Sequence, residues 1–133
     1  LFHFVYLSII PTTPFWDRSP LIYYASDEFA SQIVVGSLVS ISISTRITTG
    51  IIVMRESPIG DLDPDQILSI ISVLCSTPLL DTQTIILILS YAQEQYLPLY
   101  QVLTLFLPKS VITFLEKRNF SVLQFDSPHD SRE

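Results

Sequence analysis

An α+β fold, a small β-barrel of short strands followed by a segment of three to four helices, is what this 133-residue sequence predicts. Three observations carry that expectation. Val39, Ile41 and Ile43 alternate with Ser40, Ser42 and Ser44, the period of two that a half-buried strand requires. Gly50 lies inside the next apolar stretch, where a glycine marks a bulge or a sharp bend of the kind small barrels use at corners. Beyond residue 64 the apolar period lengthens to that of a helix, and Pro78, Pro98 and Pro108 cut it into pieces.

The elements follow in chain order. Phe2 to Ile10 is β-branched and aromatic and predicts a strand that Pro11 closes. Pro11, Pro14 and Pro20 then mark an irregular loop, because proline donates nothing to a sheet ladder. Leu21-Ile22-Tyr23-Tyr24 is a second short strand, and Asp27-Glu28-Phe29 opens a helical turn. After Gly36 come the serine-alternated strand and, past Thr45-Arg46, the strand from Ile47 to Met54. Ser57 to Pro64 is a turn-rich acidic linker in which Asp63 caps a helix with Pro64 at its first position. That helix would place Ile67, Ile70, Ile71 and Leu74 on one face.

Pro78 ends it, and Asp81 caps a second helix with Ile85, Ile88, Leu89, Ala92 and Tyr96 at helical spacing. Leu99, Val102, Leu103 and Phe106 define a third, between Pro98 and Pro108. Ser110 caps a fourth, Val111 to Arg118, with Lys117 and Arg118 well placed against the dipole at its C-terminal end. The chain thus divides into a barrel over 1–56, a linker over 57–64, a helical segment over 65–120 packed on the barrel, and a polar tail over 121–133 that frays from Asp126.

Composition narrows the function classes. The chain is 48% hydrophobic and 15% charged, with mean hydropathy +0.45, too apolar for disorder. Its richest runs, Ile67–Cys75, Thr84–Ala92 and Leu97–Leu107, are each shorter than the about 20 apolar residues of a membrane span. Joining the last two would bury Glu94. The sequence also opens without the basic start and small-residue cleavage site of a signal peptide, so a cytoplasmic protein without membrane attachment is expected. Cys75 is the single cysteine, which forbids an internal disulfide, and its apolar run marks it as core filler. The net charge of −6 counts against a phosphate-neutralising surface, and residues 1–56 hold only Arg18, Arg46 and Arg55 as cations.

Chemistry of the catalytic kind finds no purchase. The three glycines, at 36, 50 and 60, build no phosphate-cradling loop, which excludes ATP hydrolysis by this chain. His3, His129 and Cys75 do not supply the three or four convergent ligands of a zinc site. Asp61, Asp63 and Asp65 lack the later glycine and distal glutamate of a calcium loop, and Asp27-Glu28 has no partner for acid–base work. No cofactor and no catalysis are therefore expected. The aromatics are more informative: Phe15-Trp16 and Tyr23-Tyr24 flank the proline loop beside Asp17 and Arg18. Such rings either stack nucleic-acid bases or plug the open end of a barrel, and the sequence favours the plug.

The order of these pieces resembles the N-terminal 3′-DNA-end-binding domain of bacterial primosomal protein N′ (PriA), the replication-restart helicase. The similarity runs from about Phe4 to Pro108. It rests on the opening strand and proline loop, Leu21-Ile22-Tyr23-Tyr24, Val35-Gly36-Ser37-Leu38-Val39-Ser40-Ile41 and Arg46-Ile47-Thr48-Thr49-Gly50-Ile51-Ile52-Val53. Val73-Leu74-Cys75-Ser76-Thr77-Pro78-Leu79-Leu80 and Tyr91 to Pro108, with Tyr96-Leu97-Pro98-Leu99, complete it.

The resemblance implies a non-catalytic module that holds the 3′ end of a nascent DNA strand at a stalled, branched fork, beside other primosome or replication proteins. It also raises the possibility of a truncated part of an ATP-dependent helicase. The contacts it implies are Tyr23, Tyr24, Arg46 and Asp17. The family places an aromatic–Asp pair before the tyrosine that matches Tyr24, with the carboxylate accepting from the terminal hydroxyl. Ile22 and Tyr23 stand at those positions, and Asp17 is the substitute at hand. Serine and threonine replace most basic residues of the strands, so the scaffold is implied more strongly than the site. The alternative is a degenerate protein-interaction or scaffold module that no longer binds nucleic acid.

Overall fold

The computed structural model describes residues 4–125, with side chains to residue 118. Its strands are β1 (Phe4–Pro11), β2 (Leu21–Ser26), β3 (Leu38–Ile43), β4 (Arg46–Arg55) and β5 (Ser72–Cys75). Its helices are α1 (Asp27–Ala30), α2 (Thr82–Gln95), α3 (Leu99–Phe106) and α4 (Lys109–Phe125), with a single 3-10 turn at Pro64–Gln66. The strands form one antiparallel sheet in the order β2-β1-β4-β3-β5.

The α+β class is as expected, but the sheet is open and not the closed barrel. Closure would need a strand beside both edges. β5 has four residues and pairs only with Leu38–Ser40 of β3, so nothing is left to run along β2. Residues 68–71 span the gap instead. The Tyr24 N–H donates to the Leu68 carbonyl, Ile70 N–H to the Tyr24 carbonyl, and Ile71 N–H to the Ser40 carbonyl. That satisfies part of the β2 edge without building a ladder.

The helix expected over Ile67–Leu74 is not there. Asp63 does act as a cap, its Oδ1 accepting from the Asp65 N–H at 3.0 Å. The helix it starts ends after one 3-10 turn, and Ile67 is already extended. Ile67 and Ile70 are buried while Leu68 and Ile71 stand exposed, so the apparent helical spacing comes from a strand-like path between two sheet edges. Cys75 accordingly ends β5, half-buried, with its thiol donating to the Thr77 carbonyl. It lies in no helix core.

The sheet is covered on both faces. Ile10, Leu38, Ile51 and Val53 pack against Ile85, Ile88, Leu99, Val102 and Leu103 of α2 and α3, with Ile112 of α4. On the other face Leu7, Ile9, Tyr23, Ala25, Val39, Ile41 and Ile52 enclose a second core with Ile33 and Ile70. Gly50 allows β1 and β4 to close up, since a Cβ there would overlap the Ile9 side chain and stand 3.2 Å from the Ile10 carbonyl oxygen. The bulge falls three residues later, at Val53, where the register steps from Ile9↔Ile52 to Ser8↔Met54. That extra residue turns Arg55 to the second face, where it donates to the carbonyls of Ala30 and Ile33 at 3.0 and 2.7 Å.

Asp81 caps α2 through a 2.8 Å bond from the Thr84 N–H, as expected. Tyr96 is not a packed position of that helix but its left-handed C-cap, with φ 56°. α3 starts after Pro98, and its Leu99 N–H donates to the Asp17 carbonyl at 3.0 Å, which ties the proline loop to the helices. α4 begins at Lys109 and runs past Arg118, so residues 121–125 are helical where the polar tail was expected. His3, His129 and the chain from Asp126 lie outside the described residues. Among the described residues no helix is long and apolar enough to cross a membrane.

Candidate nucleic-acid interface

The register of the β1–β2 hairpin decides what its two tyrosines can do. Tyr23 lies opposite Leu7 and Tyr24 opposite Tyr6, so the two rings point to opposite faces. Tyr23 faces the second core at 5% exposure, and its hydroxyl donates to the Ser42 carbonyl at 2.6 Å. Burial pushes its phenol above the usual 10.0. Tyr23 also lines a cleft of about 240 Å³. Phe15, Ile22, Ser42, Ser44, Gln66 and Leu68 line the rest of that cleft. The proline loop, β2, the β3–β4 hairpin, the 3-10 turn and the segment just after it supply these side chains.

Arg46 is exposed at the start of β4, paired with Ile43, whose side chain lines the same cleft. Ser44, in the two-residue link between β3 and β4, has φ 55°, a left-handed conformation unusual for a residue with a Cβ. It turns the hairpin back on itself and presents the Ser42–Ser44 edge at the mouth.

Tyr24 belongs to a different place. With Phe4 and Tyr6 it lines a larger cleft of about 520 Å³ that also includes Ser26, Asp65 and Ile67. Phe4 meets Tyr6 at 5.3 Å and Tyr24 at 5.6 Å between ring centroids, both edge-on, an arrangement favoured by the ring quadrupoles. A hollow beside it is lined by Phe4, Val5, Tyr6, Glu56 and Ser57. Among the described residues, the charged ones lining these two hollows, Asp65 and Glu56, are both acids, so the larger cleft is the poorer receptor for a phosphate.

Asp17 is exposed in the proline loop, two residues from Phe15, and does not line the Tyr23 cleft. Its backbone carbonyl holds α3 in place. Its neighbour Arg18 sits 4.8 Å over the ring of Tyr96, a cation–π contact. Of the four residues expected from the sequence, only Tyr23 lines this cleft; Arg46 stands beside it through its pairing with Ile43, while Tyr24 and Asp17 stand elsewhere.

Gln66, Ser42 and Ser44 were not singled out from the sequence. The serines were visible only as a strand's polar face, and Gln66 was hidden inside the helix expected there. Among the described residues no group of three or more His, Cys, Asp or Glu side chains converges on a metal position.

An open antiparallel sheet backed by helices, with small end clefts lined by rings, hydroxyls and an amide, defines a binding module. Its particular kind is given by family comparison. The family model for the 3′DNA-binding domain (3′BD) of PriA matches residues 9–108, and the chain belongs to that family. The match spans all five strands except the first residues of β1, together with α1, α2 and α3. The family's description is of a binding domain, not of a catalytic one. No curated protein matches the chain.

Proposed function

We propose that this chain is a DNA-binding module of replication restart, working in the cytoplasm, that takes the 3′ end of a DNA strand into the Tyr23 cleft. The observation that carries this reading is a coincidence of position. The family match spans the cleft, and Tyr23, which stands where the resemblance puts the end-binding carboxylate, is one of its walls.

The remaining groups have suitable chemistry. The Gln66 side-chain oxygen is an exposed neutral acceptor for the terminal hydroxyl, in place of the missing carboxylate. Ser42 and Ser44 offer hydroxyls to the sugar, Phe15 and Ile22 an apolar wall, and Arg46 a cation for the last phosphate. Without a buried charge to desolvate, end recognition of this kind is weak but specific to an unblocked end.

Anisotropy titrations at low salt, with duplexes whose recessed 3′ end carries either a hydroxyl or a phosphate, test it. The hydroxyl end binds more tightly, and Gln66→Ala removes the preference while leaving the fold intact. Equal affinity for the two ends in the unaltered chain would sink end recognition.

A second reading, a scaffold module that has lost DNA, is favoured by one feature: Tyr23 plugs the position of the family's carboxylate and is spent on the core. Chromatography with light scattering separates the two. A monomer that binds the hydroxyl end counts against the scaffold.

A further inference from the structure

We propose that Trp16, Arg18 and Tyr96 form a landing surface for the single strand that leads into the Tyr23 cleft. The inference rests on the DNA reading above and deepens it by giving the strand a path.

Trp16 is 74% exposed and Tyr96 76% exposed, the most open of the large aromatic side chains among the described residues. Neither ring stacks on another aromatic among the described residues; the ring pairs there all involve Phe4. Tyr96 is displayed at a cost. It holds a left-handed backbone, φ 56° and ψ 42°, where a glycine is the usual choice, and its N–H closes α2 on the Ala92 carbonyl. Arg18 lies over that ring at 4.8 Å, which fixes the guanidinium while leaving its N–H edge to the solvent.

The loop that carries Trp16 and Arg18 is anchored and not free to fold away. The Asp17 carbonyl accepts from the first N–H of α3, and Thr12 and Thr13 at its start bond to Thr49 and Thr48 of β4. Phe15, directly before Trp16, already lines the proposed end cleft. The path from cleft to surface is therefore one residue long on the chain. Rings that offer their faces to bases, next to a held cation for the backbone, are the elements by which proteins grip single strands. The charge distribution agrees: Arg18 is held over Tyr96 on the landing surface and Arg46 pairs with Ile43 of the cleft wall, while Glu56 and Asp65 line the other hollows.

Trp16 is the single tryptophan, so its emission reports directly on contact. The full chain is titrated with a labelled oligothymidylate of about a dozen nucleotides ending in a 3′ hydroxyl, within the span single-strand-binding domains cover. Trp16 emission should be quenched in step with the rise in label anisotropy. Trp16→Ala and Arg18→Ala should each weaken binding about fivefold or more, the range of a lost base stack, while Trp16→Phe keeps most of the affinity. Both side chains are exposed, and the loop is anchored by backbone groups, so circular dichroism and melting should not change. If the strand binds with emission undiminished and both alanine variants keep their affinity, the landing surface is wrong while the 3′-end preference still stands. If no strand and no 3′ end binds, the DNA reading and this surface fail together.

Discussion

Tyr23 shows at a single residue how strand register decides whether a polar ring serves the core or the surface. A carboxylate at this position needs water or a donor nearby. A phenol can instead be driven into the core, and here it reaches the Ser42 carbonyl at 2.6 Å. Tyr23→Phe removes that bond and leaves the carbonyl with less, so the variant should be less stable by about 1 kcal/mol in urea unfolding. The pH dependence has a definite sign. Burial raises the phenol's pKa in the folded state above the 10.0 of the unfolded chain. Its contribution to stability is therefore complete below pH 10 and lost as pH rises through the higher folded value. Unfolding curves of the unaltered chain should lose stability above pH 10 more steeply than those of Tyr23→Phe. Of the aromatics expected to plug an open barrel end, Tyr23 is buried in the second core while Trp16 stands 74% exposed, and the open sheet has no barrel end to plug. Which of two adjacent tyrosines turns inward depends on strand register, Tyr23 against Leu7, which composition alone does not fix.

At the scale of elements, what was legible depended on whether local chemistry or distant pairing decides the structure. The cap Asp81 and the breaker Pro98 act within a turn of themselves, and α2 and α3 lie where these residues put them. The Asp81 carboxyl is held below its usual range by the Thr84 hydrogen bonds. Asp81→Ala should lower the melting temperature at neutral pH, and the difference should shrink as pH falls below the usual carboxylate range, where the unaltered cap is protonated too. β5 was illegible for the opposite reason. Ile67, Ile70, Ile71 and Leu74 fit a helical face, yet β3 and the free edge of β2 offer their backbone groups partners that a helix would leave unused. Missing this strand path also hid Gln66 and misplaced Cys75. Gly50 was rightly singled out, although for close approach of β1 and β4 and not for a barrel corner. Gly50→Ala should cost about 1–3 kcal/mol, because the new methyl meets Ile9 and the Ile10 carbonyl in a core with no room to yield. Denaturant midpoints of the two chains measure it.

For the whole molecule the decisive quantity is charge, and it limits how DNA can be held. A net charge of −6 opposes an extended strand, so any binding must come from local arrangement and not from bulk attraction. The fold does sort its charges. Arg46 pairs with Ile43 of the Tyr23 cleft wall and Arg18 is held over Tyr96, Asp65 and Glu56 line the hollows around Phe4, and Arg55 is spent on the carbonyls of Ala30 and Ile33. Single-strand binding loses about 0.7 in the slope of log affinity against log salt for each phosphate neutralised, so two cations give a slope of about −1.4. Titrations across a salt series should find that shallow value, with Arg46→Ala reducing it by about 0.7. A slope of about −3 or steeper would instead require further cations such as Lys109, Lys117 and Arg118 of α4, whose Ile112 packs in the first core, and would draw the strand off the cleft. The shallow slope, joined to a preference for an unblocked 3′ hydroxyl, is what a site built from an amide, two serines and two phosphate-facing arginines should give. A general nucleic-acid surface would show the reverse: strong salt dependence and indifference to how the strand ends.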